Sequence, residues 1–117
     1  TGSVTDYASL REACQNVDVV YATVALIRYY ERLKWQYKDS HAVNVVGTEN
    51  IIRACVECGV KILVQTSTAH VVMAADRCSR NMDEETPMVD EKSAPNHYGW
   101  TKVQAERAVA AANGEKL

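Results

Sequence analysis

No apolar run in this 117-residue chain approaches the roughly 20 residues of a membrane-spanning helix, so no spanning segment is predicted within it. Neither sign of charge is in excess. Thirteen Lys and Arg face fifteen Asp and Glu, a net charge of -2, so no overall basic field draws the chain to nucleic acid or to an anionic surface. Turn formers are scarce, with five glycines and two prolines, which argues against a small loop-rich scaffold. Those glycines (Gly2, Gly47, Gly59, Gly99 and Gly114) lie too far apart to form a phosphate-cradling loop. Four cysteines would permit two disulfides. Between long periodic segments they read instead as reduced thiols of an intracellular, cytoplasmic protein. No N-terminal stretch has the pattern of a signal peptide, though the chain opens at Thr1-Gly2-Ser3 and a removed targeting segment is compatible with that.

What is present is the balance of an ordinary globular protein, 47% hydrophobic and 24% charged. Asp6 to Gln15 predicts a short helix capped by Asp6 or Ser9, with Ser9 and Glu12 spaced as a capping box. Asp18 to Ala25 is a β-branched apolar run without alternation, the pattern of a strand buried on both faces. A polar, aromatic segment from Arg28 to Ser40 leads to a second helix, about His41 to Cys58, stopped by Gly59. Val60 to Thr66 predicts a second buried strand. Val71 to Pro95 is irregular, and a last helix runs from Asn96 to about Asn113. Two strands joined by a helical crossover predict a parallel sheet of the α/β class, in one domain over residues 1–117.

Several patterns invite chemistry and are better explained without it. Cys55 and Cys58 form a Cys-x-x-Cys pair, but at a helix C-terminus, where the dipole favours neutral thiols, and no further ligand pair accompanies them. Ser67, His70 and Asp76 have the residue types of a hydrolase triad, yet no Gly-x-Ser-x-Gly elbow is present. His41 and His97 read as surface residues at helix starts, and Asp83 to Glu85 as a solvated acidic loop. The bases and aromatics of Arg28 to Lys38 suit a segment covering part of a cleft better than a nucleic-acid surface, because Glu31 and Asp39 dilute the charge.

Tyr98 and Lys102 are the sharpest signal. Residues four apart share a helix face, with Cβ atoms roughly 5–6 Å apart. A phenol ionises near pH 10, and a neighbouring ammonium favours the phenolate, bringing it toward the range of a working base. The run Thr66-Ser67-Thr68 emerges from the end of a buried strand, where open parallel sheets bind ligands, and a hydroxyl there can hold a substrate oxygen. Taken alone, each pattern also fits ordinary helix packing or a turn.

Several segments in order resemble the extended short-chain dehydrogenase/reductases, most closely the 3β-hydroxysteroid dehydrogenase branch. They are Val4–Asp6, Asp18–Tyr21, Asn44–Asn50, Gly59–Ser67, Asp83–Pro87 and Tyr98–Lys102. The resemblance implies a partial NAD(P)-binding Rossmann domain, a doubly wound parallel sheet lacking the first βαβ phosphate-binding unit, and hence an internal fragment of a longer enzyme. Tyr98 would be the acid/base, Lys102 would tune it and hold the nicotinamide ribose, and Thr68, with Ser67 second, would orient the substrate oxygen. Thr23, Val24, Ala25, Leu26 and Asn44 would lie along the cofactor, with NAD and NADP both open because the acidic residue that reads the ribose is absent.

The implied function is oxidation of a secondary alcohol or reduction of its ketone, with a 3β-hydroxysteroid or sterol as substrate. No metal or nucleic acid is expected, and a homodimer of the longer chain is allowed. The rivals are a nucleotide-sugar epimerase or dehydratase of the same superfamily, or a binding relative that has lost catalysis. Three departures stand out: Ser3 where the family usually has aspartate, Ala22 where it often has histidine, and Val24 where it commonly has alanine.

Overall fold

The first helix starts where a short polar side chain can satisfy a free backbone donor. Asp6 Oδ1 accepts from the Ala8 N–H at 3.1 Å and caps α1, Tyr7–Ala13. The helix is shorter than its sequence suggests because Asn16 takes a left-handed conformation, φ 58°, and turns the chain away. Ser9 lies inside α1 and is not its cap; its hydroxyl donates to the Asp6 carbonyl at 2.9 Å. The structure, a computed structural model, describes residues 1–76 and 80–114, so Cys78 lies outside the described residues.

Strand β1, Val19–Ala22, pairs in parallel with β2, Ile62–Gln65, in the register Val19 to Ile62 through Ala22 to Gln65. Both strands are shorter than predicted and are not buried on both faces. Val20, Ala22 and Leu63 pack inward, whereas Val19, Tyr21, Ile62 and Val64 are exposed. In a parallel sheet the absence of alternation only shows that either face tolerates apolar residues. It cannot show which face these residues cover.

Between the strands, a short 3₁₀ turn at Lys34–Gln36 precedes a continuous helical stretch. It consists of α2, Tyr37–His41, a π-helical turn, Ala42–Val46, and α3, Gly47–Cys58. It begins four residues before the predicted start, and His41 ends α2 instead of opening the helix. Gly59 terminates α3 with φ 71°, the left-handed cap expected of glycine. Below the sheet, Ile51, Ala54 and Cys55 of α3 meet Cys14, Ala22 and Val60, with Leu10 and Tyr7 of α1 against them.

The irregular segment after β2 folds back on the last helix. Val71, Ala74 and Val89 form a second apolar cluster with Val103 of α4, His97–Ala112. Asn96 caps that helix as predicted, accepting from the Gly99 N–H at 2.8 Å. Gly99 lets α4 approach closely, since a Cβ there would meet the His70 carbonyl oxygen at 3.3 Å. The buried face of α4 is partly polar, comprising Tyr98, Gly99, Thr101, Lys102, Val103 and Ala105. Of the expected apolar positions, Val103 and Ala105 are buried, while Ala108, Val109 and Ala112 are only half-buried. Among the described residues, no helix is long and apolar enough to cross a membrane.

Candidate active site

The carboxyl ends of both strands open on one edge of the molecule. From β1 the chain leaves through Thr23 and Val24, both exposed, and then Ala25 and Leu26, half-buried. From β2 it leaves through Thr66, whose N–H donates to the Ala22 carbonyl at 3.1 Å and extends the ladder by one residue. Thr68 then caps a 3₁₀ turn, Ala69–Val71, its hydroxyl accepting from the His70 N–H at 3.4 Å. Helix α4 packs against this edge and brings Tyr98 and Lys102 to it.

Tyr98 is buried beside two rings. Tyr29, from the segment after β1, and His70, from the 3₁₀ turn, each meet it edge-on, with centroids 5.5 and 5.9 Å away. Burial pushes the Tyr98 phenol above its ordinary value and Tyr29 adds to this, while a hydrogen bond from Thr68 acts the other way. The anticipated lowering by Lys102 does not occur in this arrangement. The Lys102 ammonium is turned to the Thr66 carbonyl, to which it donates at 2.7 Å. Burial also holds that ammonium below its ordinary value, with Glu106 opposing.

The two candidate hydroxyls are separated in role. Ser67 is exposed, and its hydroxyl donates to the Glu106 carboxylate on α4. Thr68, half-buried, keeps its hydroxyl on the Tyr98 side, where it lowers the phenol's value. A cavity of about 450 Å³ opens beside Thr68, lined chiefly by Val71, Val72, Met82 and Met88, with Asp83 and Glu84 also on its wall. The acidic loop is thus exposed, as read from sequence, but it also borders this cavity.

Asn44 is brought to the same edge but its side chain is not free for direct contact. Its Oδ1 accepts from the Leu26 N–H at 2.7 Å, and its Nδ2 donates to the Leu26 carbonyl and the Thr101 hydroxyl, each at 3.0 Å. Even the Asn44 carbonyl is taken, by the Thr48 hydroxyl at 2.8 Å. The expected position on the cofactor side therefore resolves into a clamp between the β1 exit and α4.

Sequence reasoning missed Thr101, whose one signal is a hydroxyl inside a helix between Tyr98 and Lys102. Tyr29 lies in the segment expected to cover the cleft, and His70, set aside as a triad member, meets Tyr98 instead. His97 was also misjudged as a surface residue: it stacks on Tyr37 with centroids 3.7 Å apart, and its Nε2 is buried without a partner. The thiol of Cys58 donates to the Arg11 carbonyl at 3.5 Å. Cys55 is fully buried, and burial, with Cys14 beside it, pushes its thiol up to about 12. Cys14, Cys55 and Cys58 are all free thiols.

The sequence profile of the 3-beta hydroxysteroid dehydrogenase/isomerase family matches residues 1–117. The chain is similar to short-chain dehydrogenase/reductase family 42E member 1 of Danio rerio, 37% identical over 114 residues, covering 97% of this chain and 29% of that protein. It is 36% identical over 116 residues to 3 beta-hydroxysteroid dehydrogenase/Delta 5-->4-isomerase of Mycobacterium tuberculosis, covering 97% of this chain and 30% of that one. Among solved structures it resembles a short-chain dehydrogenase/reductase superfamily protein from Agrobacterium tumefaciens with bound NAD. The TM-score is 0.81 at 25% identity, over 98% of this chain and 33% of that one. MoeE5 in complex with UDP-glucose and NAD aligns at TM-score 0.76 and 28% identity, over 95% of this chain and 34% of that one. The chain spans about a third of the length of these proteins.

Proposed function

The chain belongs to the 3-beta hydroxysteroid dehydrogenase/isomerase family, and on that premise we propose that it carries the acid–base centre of an NAD(P)-dependent oxidoreductase interconverting a secondary alcohol and its ketone. Its two parallel strands and their helices are then part of a single Rossmann-type domain over residues 1–117. The observation that carries the reading is the buried Tyr98 phenol brought with Lys102 to the carboxyl ends of the parallel strands, where the Lys102 ammonium donates to the Thr66 carbonyl.

The residues present fit the nicotinamide-ribose end of a dinucleotide. The Lys102 ammonium has three N–H donors, and the Thr66 carbonyl takes one, which leaves capacity for ribose hydroxyls. When bound, the nicotinamide supplies the hydride acceptor. Everything else is work for this chain. Thr68 donates to the substrate oxygen and fixes its position. Tyr98, as phenolate, takes the hydroxyl proton during oxidation and returns it during reduction. Lys102 supplies the positive charge that supports the phenolate once a ligand draws its ammonium from Thr66. Thr23, Val24, Ala25 and Leu26 offer backbone along the dinucleotide at the β1 exit.

For the substrate we favour a 3β-hydroxysteroid or sterol. The cavity beside Thr68 is walled mainly by aliphatic and methionine side chains, and Asp83 and Glu84 border it. Those carboxylates would repel a nucleoside diphosphate and leave an uncharged polycyclic alcohol indifferent. A nucleotide-sugar reading draws support from the likeness to MoeE5 in complex with UDP-glucose and NAD, and the acidic wall argues against it.

The test is alcohol-dependent formation of reduced nicotinamide by the full-length protein, with a 3β-hydroxysteroid and with UDP-glucose as separate substrates. Tyr98→Phe should lower turnover by roughly 10²–10⁴-fold. Activity that survives Tyr98→Phe overturns the mechanism, and turnover of UDP-glucose alone overturns the substrate.

A further inference from the structure

We propose that Thr101 is a positioning residue for Tyr98, the last link of a buried hydrogen-bonded chain that runs from the β1 exit to the first turn of α4. The proposal rests on the acid–base reading of Tyr98 for its functional consequence, but the geometry stands independently. Thr101 has no exposed surface, so each of its polar contacts is made within the protein. Its hydroxyl donates to the Tyr98 carbonyl at 2.7 Å and accepts from Asn44 Nδ2 at 3.0 Å. A hydroxyl has one donor and two acceptor sites, so the donor and one acceptor are committed.

Asn44 continues the chain. Its amide forms a two-bond clasp with the backbone N–H and carbonyl of Leu26. Three backbone positions distant in sequence (Leu26, Asn44 and Tyr98) are therefore held by two side chains. The orientation of the Asn44 amide is forced, because only the oxygen can accept from the Leu26 N–H and only the nitrogen can donate to its carbonyl. With that amide fixed, the Thr101 oxygen has one place to sit, and the carbonyl of Tyr98 follows.

The link adds to the contacts that hold the start of α4, the stacking of His97 on Tyr37 and the close approach of Gly99 to His70. The apolar cluster against this helix is centred on Val103, with Trp100 at its edge. Around Tyr98 itself the contacts are edge-on rings, Tyr29 and His70. A directional bond at Thr101 sets the axial position of the first turn, and with it the distance from the Tyr98 phenol to Thr68. Because the other end grips Leu26, a ligand that moves the β1 exit is felt at Tyr98 through the same chain.

Thr101→Val keeps the shape, removes the hydroxyl, and leaves an Asn44 N–H buried without a partner. Thr101→Ser keeps the hydroxyl. The Tyr98 resonance, followed in the full chain by NMR of ring-labelled tyrosine and assigned with Tyr98→Phe, reports the phenol without any assay of turnover. In Thr101→Val we expect its ionisation midpoint to rise further above the ordinary tyrosine value by half a unit or more, as the lowering by Thr68 is lost, about a threefold change in the constant. Thr101→Ser should restore it.

In the full-length enzyme, turnover should fall tenfold or more in Thr101→Val with little change in the KM for the alcohol. Asn44→Ala should then add little to that loss, since both residues act through one chain. An unchanged Tyr98 titration in a folded Thr101→Val protein would overturn the proposal, leaving Thr101 a purely structural residue. If that titration shifts while Tyr98→Phe remains fully active, the positioning stands and the acid–base reading is what fails.

Discussion

The Lys102 ammonium donates to the Thr66 carbonyl at 2.7 Å, tying the second turn of α4 to the end of β2. One side chain therefore carries the positive charge of the site and also closes the joint between sheet and helix. Charge alone would be conserved by arginine, but the joint would not. Lys102 is only 4% exposed, and a planar guanidinium cannot replace a compact ammonium there without displacing the strand end. Lys102→Arg is expected to lower turnover by about 100-fold through misplacement of the reacting groups. Its far-ultraviolet dichroism should match the parent, and near-parental turnover would show that only charge matters.

The two neighbouring hydroxyls should separate cleanly. Thr68 caps the 3₁₀ turn that carries His70 against Tyr98, while Ser67 is spent on Glu106. Removing one hydrogen-bond donor to a developing charge costs roughly 10²–10³-fold in turnover. Thr68→Ala should show a loss of that order, and Ser67→Ala a change of a few-fold at most. Steady-state kinetics of the two single variants decides the matter, and the reverse ranking would move the substrate oxygen to Ser67.

Cys55 makes a prediction about alkaline stability. Its thiol is raised from an ordinary value near 9.0 to about 12 by burial. An acid whose folded value lies above its unfolded value contributes stability that is complete below about pH 9 and is lost as pH climbs toward about 12. The three-unit shift corresponds to roughly 4 kcal/mol, an order-of-magnitude figure. Urea midpoints of the parent should fall steeply above about pH 9, and Cys55→Ala should be less stable at neutral pH but flatter across that range. Equal slopes would place the alkaline loss elsewhere.

His97 contributes on the acid side. Burial lowers its value from the ordinary 6.5, more than Glu31 opposes. For a base with a depressed folded value, the stability is present above about 6.5 and is lost as pH falls through the folded value. His97→Phe keeps a ring to stack on Tyr37 and cannot titrate. Between about pH 7 and about pH 5 it should lose less stability than the parent in matched denaturant titrations. A steeper loss in the variant would mean that protonated His97 is gained by Glu31 and stabilises the fold.

Local signals were read well from sequence where one residue decides the outcome. Asn96 caps α4, Gly59 closes α3, and Asp6 starts α1, because each acts on backbone groups within a few positions. Burial was read less well. Period-2 and period-3.6 patterns identify apolar faces, but α4 buries Tyr98, Thr101 and Lys102, whose polarity placed them on the wrong side of any such pattern. Their partners lie far off in the chain: Asn44 is 57 residues from Thr101, and Thr66 is 36 from Lys102. The acid–base pair and the hydroxyl run were legible because they have fixed local spacing. The clasp that holds them depends on tertiary pairing, and no window of sequence contains it.

The π-helical turn at Ala42–Val46 has a consequence for how this sequence can change length. Each residue of an α-helix advances about 100° around its axis, and the wider turn accommodates one residue more than an α-helical turn would. Within that turn Asn44 faces Thr101; downstream of it Ile51, Ala54 and Cys55 face the sheet. Loss of one codon within this turn would convert it to plain α-helix and swing one of these two faces out of place. Substitutions can be absorbed one side chain at a time, whereas a single-residue deletion here would separate the clasp from the core in one step.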